Sequence, residues 1–214
     1  MGAAEQRHER LARMRLYLIT GDQGDEVETA RIVEAALEGG ASVIQLRKKT
    51  MPKGEQYAIA LALRRLTLLH DALLIINDHA DIAIAADADG VHLGQDDLPP
   101  SVVRLIGRST HRLEQARAAI DEEADYIAVG PVFPTPTKAG RPAVGTDLVS
   151  EVAAIADRPF VAVGGIDHDN APAVVEAGAR ALAVVRAVYD AVDPAEAARR
   201  LHELIVTRLE VSRR

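Results

Sequence analysis

The chain has 214 residues, a formal net charge of −7, 48% hydrophobic residues and no cysteine. The lack of cysteine excludes disulfides and thiolate metal sites, and no apolar run approaches the ~18 residues of a membrane span. The negative charge argues against nucleic acid as a partner. Residues 1–13 are charged and lack an apolar run, so we expect no signal peptide and a cytoplasmic location.

Strand and helix patterns alternate along the whole sequence. Short apolar runs that end at Gly, Asn or Asp predict buried strands, and apolar residues at helical spacing predict the helices between them. The predicted strands are 16–20, 42–46, 73–76, 90–94, 103–108, 126–129, 160–163 and 181–185, and the predicted helices are 27–37, 55–70, 80–86, 111–123, 146–156, 170–177 and 194–209. This order predicts a (β/α)8 TIM barrel as a single domain over 1–214, with 1–13 as an N-terminal extension. A doubly wound open sheet is the alternative.

The segment before the fifth strand is irregular. Leu98 to Gly107 contains Pro99-Pro100 and has to supply both a crossover and a strand. Parallel strands need a crossover of about a dozen residues or more. We therefore expect a shortened crossover, in which Val103 to Arg108 forms the strand and the preceding helix is almost deleted.

Polar residues and glycines follow most of the predicted strands. In a barrel the carboxyl ends of all strands open on one face, so these residues are expected to converge. They are Gln45, Arg47, Lys48, Lys49, Asn77, Asp78, Asp96, Asp97, Ser109, His111, Thr135, Thr137, Lys138, Gly164, Gly165, Val184, Val185 and Arg186. The set carries both signs of charge.

Asp78 and Asp97 are candidate Mg²⁺ ligands, because Mg²⁺ takes one or two carboxylates together with waters and substrate phosphates. Each aspartate could instead be a helix N-cap. Gly164-Gly165 and the backbone of Val184 to Arg186 match the phosphate site that barrels build after their last two strands, although Gly-Gly could simply form a tight turn.

The basic residues at 47–49 could be a solvated charge run. Against this, Gln45 and Arg47 alternate with Leu46 and therefore share one face of the strand. His92 lies within a strand and is expected to be a hydrogen-bonded core histidine, whereas His111 could cap or orient its neighbours.

A proline-rich loop follows the sixth strand and carries Thr135, Thr137 and Lys138. It could be a rigid surface turn, but its polar groups stand where α/β proteins bind ligands. One monophosphate site, a separate cation and carboxylate cluster, and no obvious nucleophile together suggest a transfer reaction with pyrophosphate as the leaving group.

Seven motifs together resemble the thiamine-phosphate synthase family across nearly the whole chain. They are Gln45-Leu46-Arg47-Lys48-Lys49, Ile76-Asn77-Asp78, Gly90 to Asp97, Ser109-Thr110-His111, Gly130 to Lys138, Val163-Gly164-Gly165-Ile166 and Val184-Val185-Arg186. The resemblance implies a Mg²⁺-dependent transferase. It would join 4-amino-5-hydroxymethyl-2-methylpyrimidine diphosphate to 4-methyl-5-(2-phosphoethyl)thiazole, or to its carboxylated form, through a pyrimidine cation, and so give thiamine monophosphate and pyrophosphate.

The resemblance also implies roles for individual residues. Gln45, Arg47, Lys49 and Asn77 would hold the pyrimidine diphosphate, Lys48 would be a further substrate-binding residue, and Asp78 and Asp97 would bind Mg²⁺. Arg47, Ser109 and Lys138 would act on the departing pyrophosphate. The thiazole phosphate would lie against Thr135, Pro136, Thr137, Gly164, Val184 and Val185.

The short segment before the fifth strand departs from the family pattern. Two alternatives stay open, namely a relative of the thiazole tautomerases, which share the barrel and the Ser-x-His histidine, and a non-catalytic binding protein for thiamine precursors. The sequence leaves open whether the chain forms a homo-oligomer.

Overall fold

The computed structural model describes residues 2–97, 104–122, 124–136 and 141–211. Eight parallel strands pair in chain order and close into a barrel when β8 pairs with β1. The strands are β1 (Leu16–Ile19), β2 (Ala41–Leu46), β3 (Leu73–Asn77), β4 (Gly90–Leu93), β5 (Leu105–Thr110), β6 (Tyr126–Val129), β7 (Phe160–Val163) and β8 (Leu182–Val184). The closed barrel confirms the predicted fold class and excludes the open sheet.

Helices cover the outside of the barrel. They are α1 (Ala3–Ala12), α2 (Glu26–Glu38), α3 (Lys53–Leu69), α4 (Ala80–Ala85), α5 (Leu113–Asp121), α6 (Gly145–Ile155), α7 (Ala171–Glu176), α8 (Arg186–Tyr189) and α9 (Pro194–Val211). The sequence patterns did not predict α1 or the single turn of α8. No helix within the described ranges combines the length and the apolar character needed to cross a bilayer.

Two apolar layers follow from the period of the strands. Successive strand residues point to opposite faces, so every second side chain lies inside the barrel. Tyr17, Val43 and Tyr126 belong to the interior cluster, whereas Leu18 and Ile44 belong to the layer between sheet and helices. The same alternation decides which polar residues enter the barrel.

Helix α1 closes the amino-terminal end of the barrel. Its buried Leu11, together with Met14, packs in the interior cluster with Leu73 and Leu105, the first residues of β3 and β5. The opposite, carboxyl end is therefore the end at which a ligand can enter.

The bounds of the fifth strand differ from the prediction. It spans Leu105–Thr110, two residues later than predicted, because Leu105 pairs with Gly90 and Thr110 pairs with Val129. This register places Ser109 within the strand rather than after it. Most of the expected shortened crossover, 98–103, lies outside the described residues, so the prediction of a deleted helix stays a prediction.

Candidate active site at the carboxyl end of the barrel

A cavity of about 780 Å³ occupies the carboxyl end of the barrel. Most of the residues predicted to form the site line this one cavity. They are Gln45, Arg47, Lys49, Asn77, Asp78, Asp96, Asp97, Ser109, His111, Thr135, Gly164, Gly165, Val184, Val185 and Arg186. Thr137 and Lys138 lie outside the described residues, and Pro136 is exposed and does not line the cavity.

Lys48 does not line the cavity, although it was a candidate substrate-binding residue. Its side chain is buried outside the barrel, where Nζ donates to the backbone carbonyls of Gln23 and Gly24 and lies 3.3 Å from the Tyr189 hydroxyl. Burial lowers the pKa of Lys48, with nearby carboxylates such as Asp22 opposing the shift. Gln45, Arg47 and Lys49 line the cavity and Lys48 does not, so the alternation of β2 continues beyond its last residue, Leu46.

Asp22, in the loop after β1, is a site residue that sequence reasoning did not select. One oxygen of its carboxylate accepts the backbone amide of Lys49 at 2.9 Å, and the other lies 3.1 Å from the Arg47 guanidinium. The Arg47 side chain is only 11% exposed, so this contact fixes a nearly buried cation. The position of Gly21-Asp22 at the end of a strand was the available signal.

The two candidate metal ligands line the same cavity. Asp78 Oδ2 lies 3.7 Å from Lys49 Nζ, and Asp97 Oδ2 accepts the Gly94 amide at 2.6 Å. The cap of α4 is His79, so Asp78 is not the N-cap that the sequence allowed. The second oxygen of each carboxylate has no hydrogen-bond partner among the described residues.

Two carboxylates fit the ligand chemistry of Mg²⁺, which usually binds one or two protein carboxylates and keeps waters or substrate oxygens as its other ligands. Within the described parts of the chain, no group of three or more His, Asp or Glu residues could hold a metal. The site therefore fits an ion that is shared with an anionic substrate better than an ion enclosed entirely by protein.

Gly164 and Gly165 bring the loop after β7 against the loop after β6. Their φ angles are +102° and +65°, and a Cβ at Gly164 would lie 2.5 Å from the Pro131 Cα atom. The carbonyl of Gly164 accepts the Phe133 amide at 2.9 Å. Both glycines are needed for this close approach, which places their backbone along the cavity beside Val184 and Val185.

Five polar side chains form a connected hydrogen-bond network at the floor of the cavity, here called the floor network. Gln45 Nε2 donates to the Tyr17 hydroxyl at 2.9 Å, the Tyr17 and Tyr126 hydroxyls are 2.9 Å apart, and Tyr126 lies 3.1 Å from His92 Nδ1. His92 Nε2 lies 2.8 Å from Ser109 Oγ. All five residues line the cavity. The bulk of Tyr126 fits inside because Gly107 has no side chain, since a Cβ there would meet the ring at 2.0 Å.

Burial raises the pKa of both network phenols, Tyr17 and Tyr126, well above the ordinary value of 10.0. Both hydroxyls therefore keep their protons at neutral pH. His92 is buried and hydrogen-bonded, as the sequence predicted, but it also borders the cavity.

His111 stands at the rim and contacts two loop groups. Its Nδ1 bonds to the Gly130 carbonyl, and its Nε2 meets the guanidinium of Arg141. This is the orienting position that the sequence allowed for His111. Arg141 also lines the cavity and was not predicted.

Comparison with known proteins decides the family. The family model described as thiamine monophosphate synthase matches residues 16–188, which is most of the chain. The chain belongs to the thiamine-phosphate synthase family. This confirms the resemblance drawn from the motifs and, with it, the expected transferase class.

Similar proteins cover nearly the full length of the chain. Thiamine-phosphate synthase from Mycolicibacterium vanbaalenii is 46% identical, over 87% of this chain and 91% of its own. The protein of that name from Mycobacterium sp. strain KMS is 47% identical, over 92% and 95% respectively. The structure of thiamine phosphate pyrophosphorylase from Pyrococcus furiosus superposes with a TM-score of 0.84 at 36% identity, over 93% of this chain and 98% of that one.

Proposed function

We propose that this member of the thiamine-phosphate synthase family transfers the pyrimidinylmethyl group of 4-amino-5-hydroxymethyl-2-methylpyrimidine diphosphate to 4-methyl-5-(2-phosphoethyl)thiazole or its 2-carboxy form. The products are thiamine monophosphate and pyrophosphate, together with CO2 when the 2-carboxy form is the acceptor. The observation that carries the proposal is that the lining of one cavity includes the cations Arg47 and Lys49, the carboxylates Asp78 and Asp97, and the backbone at Gly164-Gly165. These are the groups needed to hold one diphosphate and one monophosphate.

The pyrimidine diphosphate would bind beside Arg47 and Lys49. Both residues lie on the inward face of the chain leaving β2, and Asp22 orients them through the Arg47 guanidinium and the Lys49 amide. Fixed cations attract a diphosphate and need little reorganisation as negative charge develops on it. Gln45 and Asn77, further along the same wall, would contact the pyrimidine end of the molecule.

Asp78 and Asp97 would hold the Mg²⁺ ion. When bound, the ion neutralises charge on the diphosphate and makes it a better leaving group. Lys49 Nζ lies 3.7 Å from Asp78 Oδ2, and this cation partly balances the charge of the Asp78 carboxylate.

The thiazole phosphate would bind where the loops after β6, β7 and β8 meet. Gly164 and the backbone of Val184 and Val185 line the cavity there, and Thr135 stands at the end of the neighbouring loop. Backbone amides that follow the last strands are the groups with which barrels bind phosphate. Thr137 would complete this site.

We further propose that the bond between the pyrimidine methylene carbon and the diphosphate oxygen breaks first. Its electron pair leaves with pyrophosphate, which Arg47, Ser109 and Lys138 would stabilise. The thiazole nitrogen then donates its lone pair to the pyrimidine cation and forms the carbon–nitrogen bond. No protein nucleophile is required, because the second substrate supplies it.

The direct test is to measure pyrophosphate release by the purified protein with both substrates and Mg²⁺. Stoichiometric pyrophosphate and thiamine monophosphate are expected, and chelation of Mg²⁺ should abolish both. Binding of the substrates without turnover would instead support a precursor-binding protein. Isomerisation of a thiazole phosphate without any diphosphate would support a tautomerase.

A further inference from the structure

The floor network has two ends that face the cavity. At one end, Gln45 Oε1 has no hydrogen-bond partner among the residues described here, while Gln45 Nε2 is held by Tyr17. At the other end, Ser109 Oγ contacts His92 Nε2. Tyr126 is the central member, because its hydroxyl bonds both to Tyr17 and to His92 Nδ1.

Proton counting links the two ends. A phenol has one proton, and a neutral imidazole has one donor and one acceptor nitrogen. When Gln45 donates to Tyr17, Tyr17 donates to Tyr126, and Tyr126 donates to His92 Nδ1. His92 then donates from Nε2 to Ser109, which leaves the Ser109 proton for an acceptor in the cavity.

The hydrogen bonds of the floor network can also all run in the opposite direction, from Ser109 to Gln45, with every group still paired. If Ser109 donates to His92, every bond in the floor network reverses and the Gln45 amide has to turn over, so that its oxygen accepts from Tyr17. The cavity would then meet the NH₂ group of Gln45 rather than its carbonyl. Whether Ser109 donates or accepts its hydrogen bond with His92 therefore decides which group of the Gln45 amide, the carbonyl or the NH₂, faces the cavity.

We propose that Tyr126 is a positioning residue that couples diphosphate binding to recognition of the pyrimidine amino group. The inference rests on the proposed function, in which Ser109 meets the diphosphate. A diphosphate oxygen can only accept, so it makes Ser109 the donor. Through Tyr126, that choice presents the Gln45 carbonyl, together with its second N–H, to the ligand. An amino group beside a ring nitrogen matches this edge, as amide side chains match adenine.

The probe is the 4-oxo analogue of the pyrimidine diphosphate, which carries an oxygen where the substrate carries the amino group. Its oxygen would face the Gln45 carbonyl, and a site built around buried hydrogen bonds rejects such a mismatch strongly. Calorimetric Kd values with Mg²⁺ are expected to favour the amino compound by about 100-fold or more in the unmodified protein.

The decisive variant is Tyr126→Phe, which keeps the ring and removes both hydrogen bonds. Tyr17 then loses its acceptor and can donate to a turned Gln45 amide, so the preference for the amino compound should fall by about tenfold or more. Tyr17→Phe, which releases Gln45 directly, should have the same effect and serves if the first variant fails to fold. Tyr189→Phe is the matched control, because it removes a buried hydroxyl outside the floor network and should keep the full preference.

Measuring binding as well as turnover distinguishes failure of the proposed function from failure of the coupling. If the two variants lose the preference for the amino compound but the unmodified protein releases no pyrophosphate, the proposed function is refuted and the coupling is supported. Folded Tyr126→Phe and Tyr17→Phe variants that keep the preference of the unmodified protein would overturn the coupling. A preference that falls equally in Tyr189→Phe would also overturn it, because the loss would then be a general response to a missing buried hydroxyl.

Discussion

Asp22 Oδ2 lies 3.1 Å from the guanidinium of Arg47, and this pair joins the loop after β1 to the cation that we propose to bind the diphosphate. The Arg47 side chain is 11% exposed, whereas that of Asp22 is 45% exposed. An anion beside an anion-binding cation weakens the attraction to substrate but fixes the direction of the guanidinium. The balance between these effects can be measured.

Replacing Asp22 should weaken binding of the pyrimidine diphosphate. In Asp22→Ala, Arg47 loses its charge-assisted partner and the Lys49 amide loses its acceptor, a change worth about 1.5 kcal/mol, or roughly tenfold in KM for that substrate. The KM for the thiazole phosphate should stay the same. Asp25→Asn is the matched control, because Asp25 caps α2 nearby and asparagine can replace that cap. An unchanged or lower KM in Asp22→Ala would mean that charge repulsion outweighs orientation.

Removing either candidate metal ligand should abolish most turnover. We expect Asp78→Ala and Asp97→Ala to reduce kcat/KM by at least about 100-fold and to raise the Mg²⁺ concentration needed for half-maximal rate. Asp81→Asn provides the control, because Asp81 pairs with Lys53 on the exposed start of α4. A near-normal rate and Mg²⁺ dependence in Asp78→Ala would refute its assignment as a ligand.

Gly164 should tolerate no side chain. Gly164→Ala adds a Cβ 2.5 Å from Pro131 to a residue at φ +102°, so it should cost about 2–4 kcal/mol of unfolding free energy and raise the KM for the thiazole phosphate. Gly145→Ala separates the two causes, since Gly145 also has a positive φ, +73°, but no atom of the described residues lies within 4 Å of its Cβ position. Thermal unfolding should show a clearly smaller loss for Gly145→Ala, and equal losses would rule out the close approach as the cause.

The contact between α1 and the start of β6 should make stability depend on pH. The hydrogen bond to the Ala4 carbonyl, followed by that to Asp125, raises the pKa of His8 from its ordinary 6.5. Protonated His8 therefore stabilises the fold fully below pH 6.5, and this contribution is lost as pH rises through the raised pKa. The effect is small, because the His8 side chain is 55% exposed.

Denaturant midpoints of the unmodified protein and His8→Gln, measured from pH 5 to pH 9, would test this dependence. The difference between the two proteins should be largest at the acidic end and shrink towards the alkaline end. His202→Gln gives a control of opposite sign, because burial lowers the pKa of His202 and its neutral form is favoured in the fold. A pH-independent difference for His8→Gln would exclude the ion pair with Asp125.

The amino-acid sequence by itself determined the (β/α)8 barrel, the family and most residues of the cavity wall. Alternation of short apolar runs with helical patterns is a local signal, and residues after parallel strands must converge once the barrel closes. The sequence alone thus places Gln45, Arg47, Asp78, Asp97, Ser109 and Gly164 on one face, where all six line the cavity. Only an extension of the β2 alternation past Leu46 would have predicted that Lys48 points away from Gln45 and Arg47.

Only the tertiary structure decided the contacts that orient these groups. Asp22 contacts Arg47, which lies 25 positions away in the sequence. Tyr17 contacts Tyr126, which lies 109 positions away. No local pattern encodes such pairs, because they depend on strand register and on which interior positions lack a side chain. Tyr126 can occupy the floor of the cavity because Gly107 is its partner on β5 and has no side chain to meet the ring.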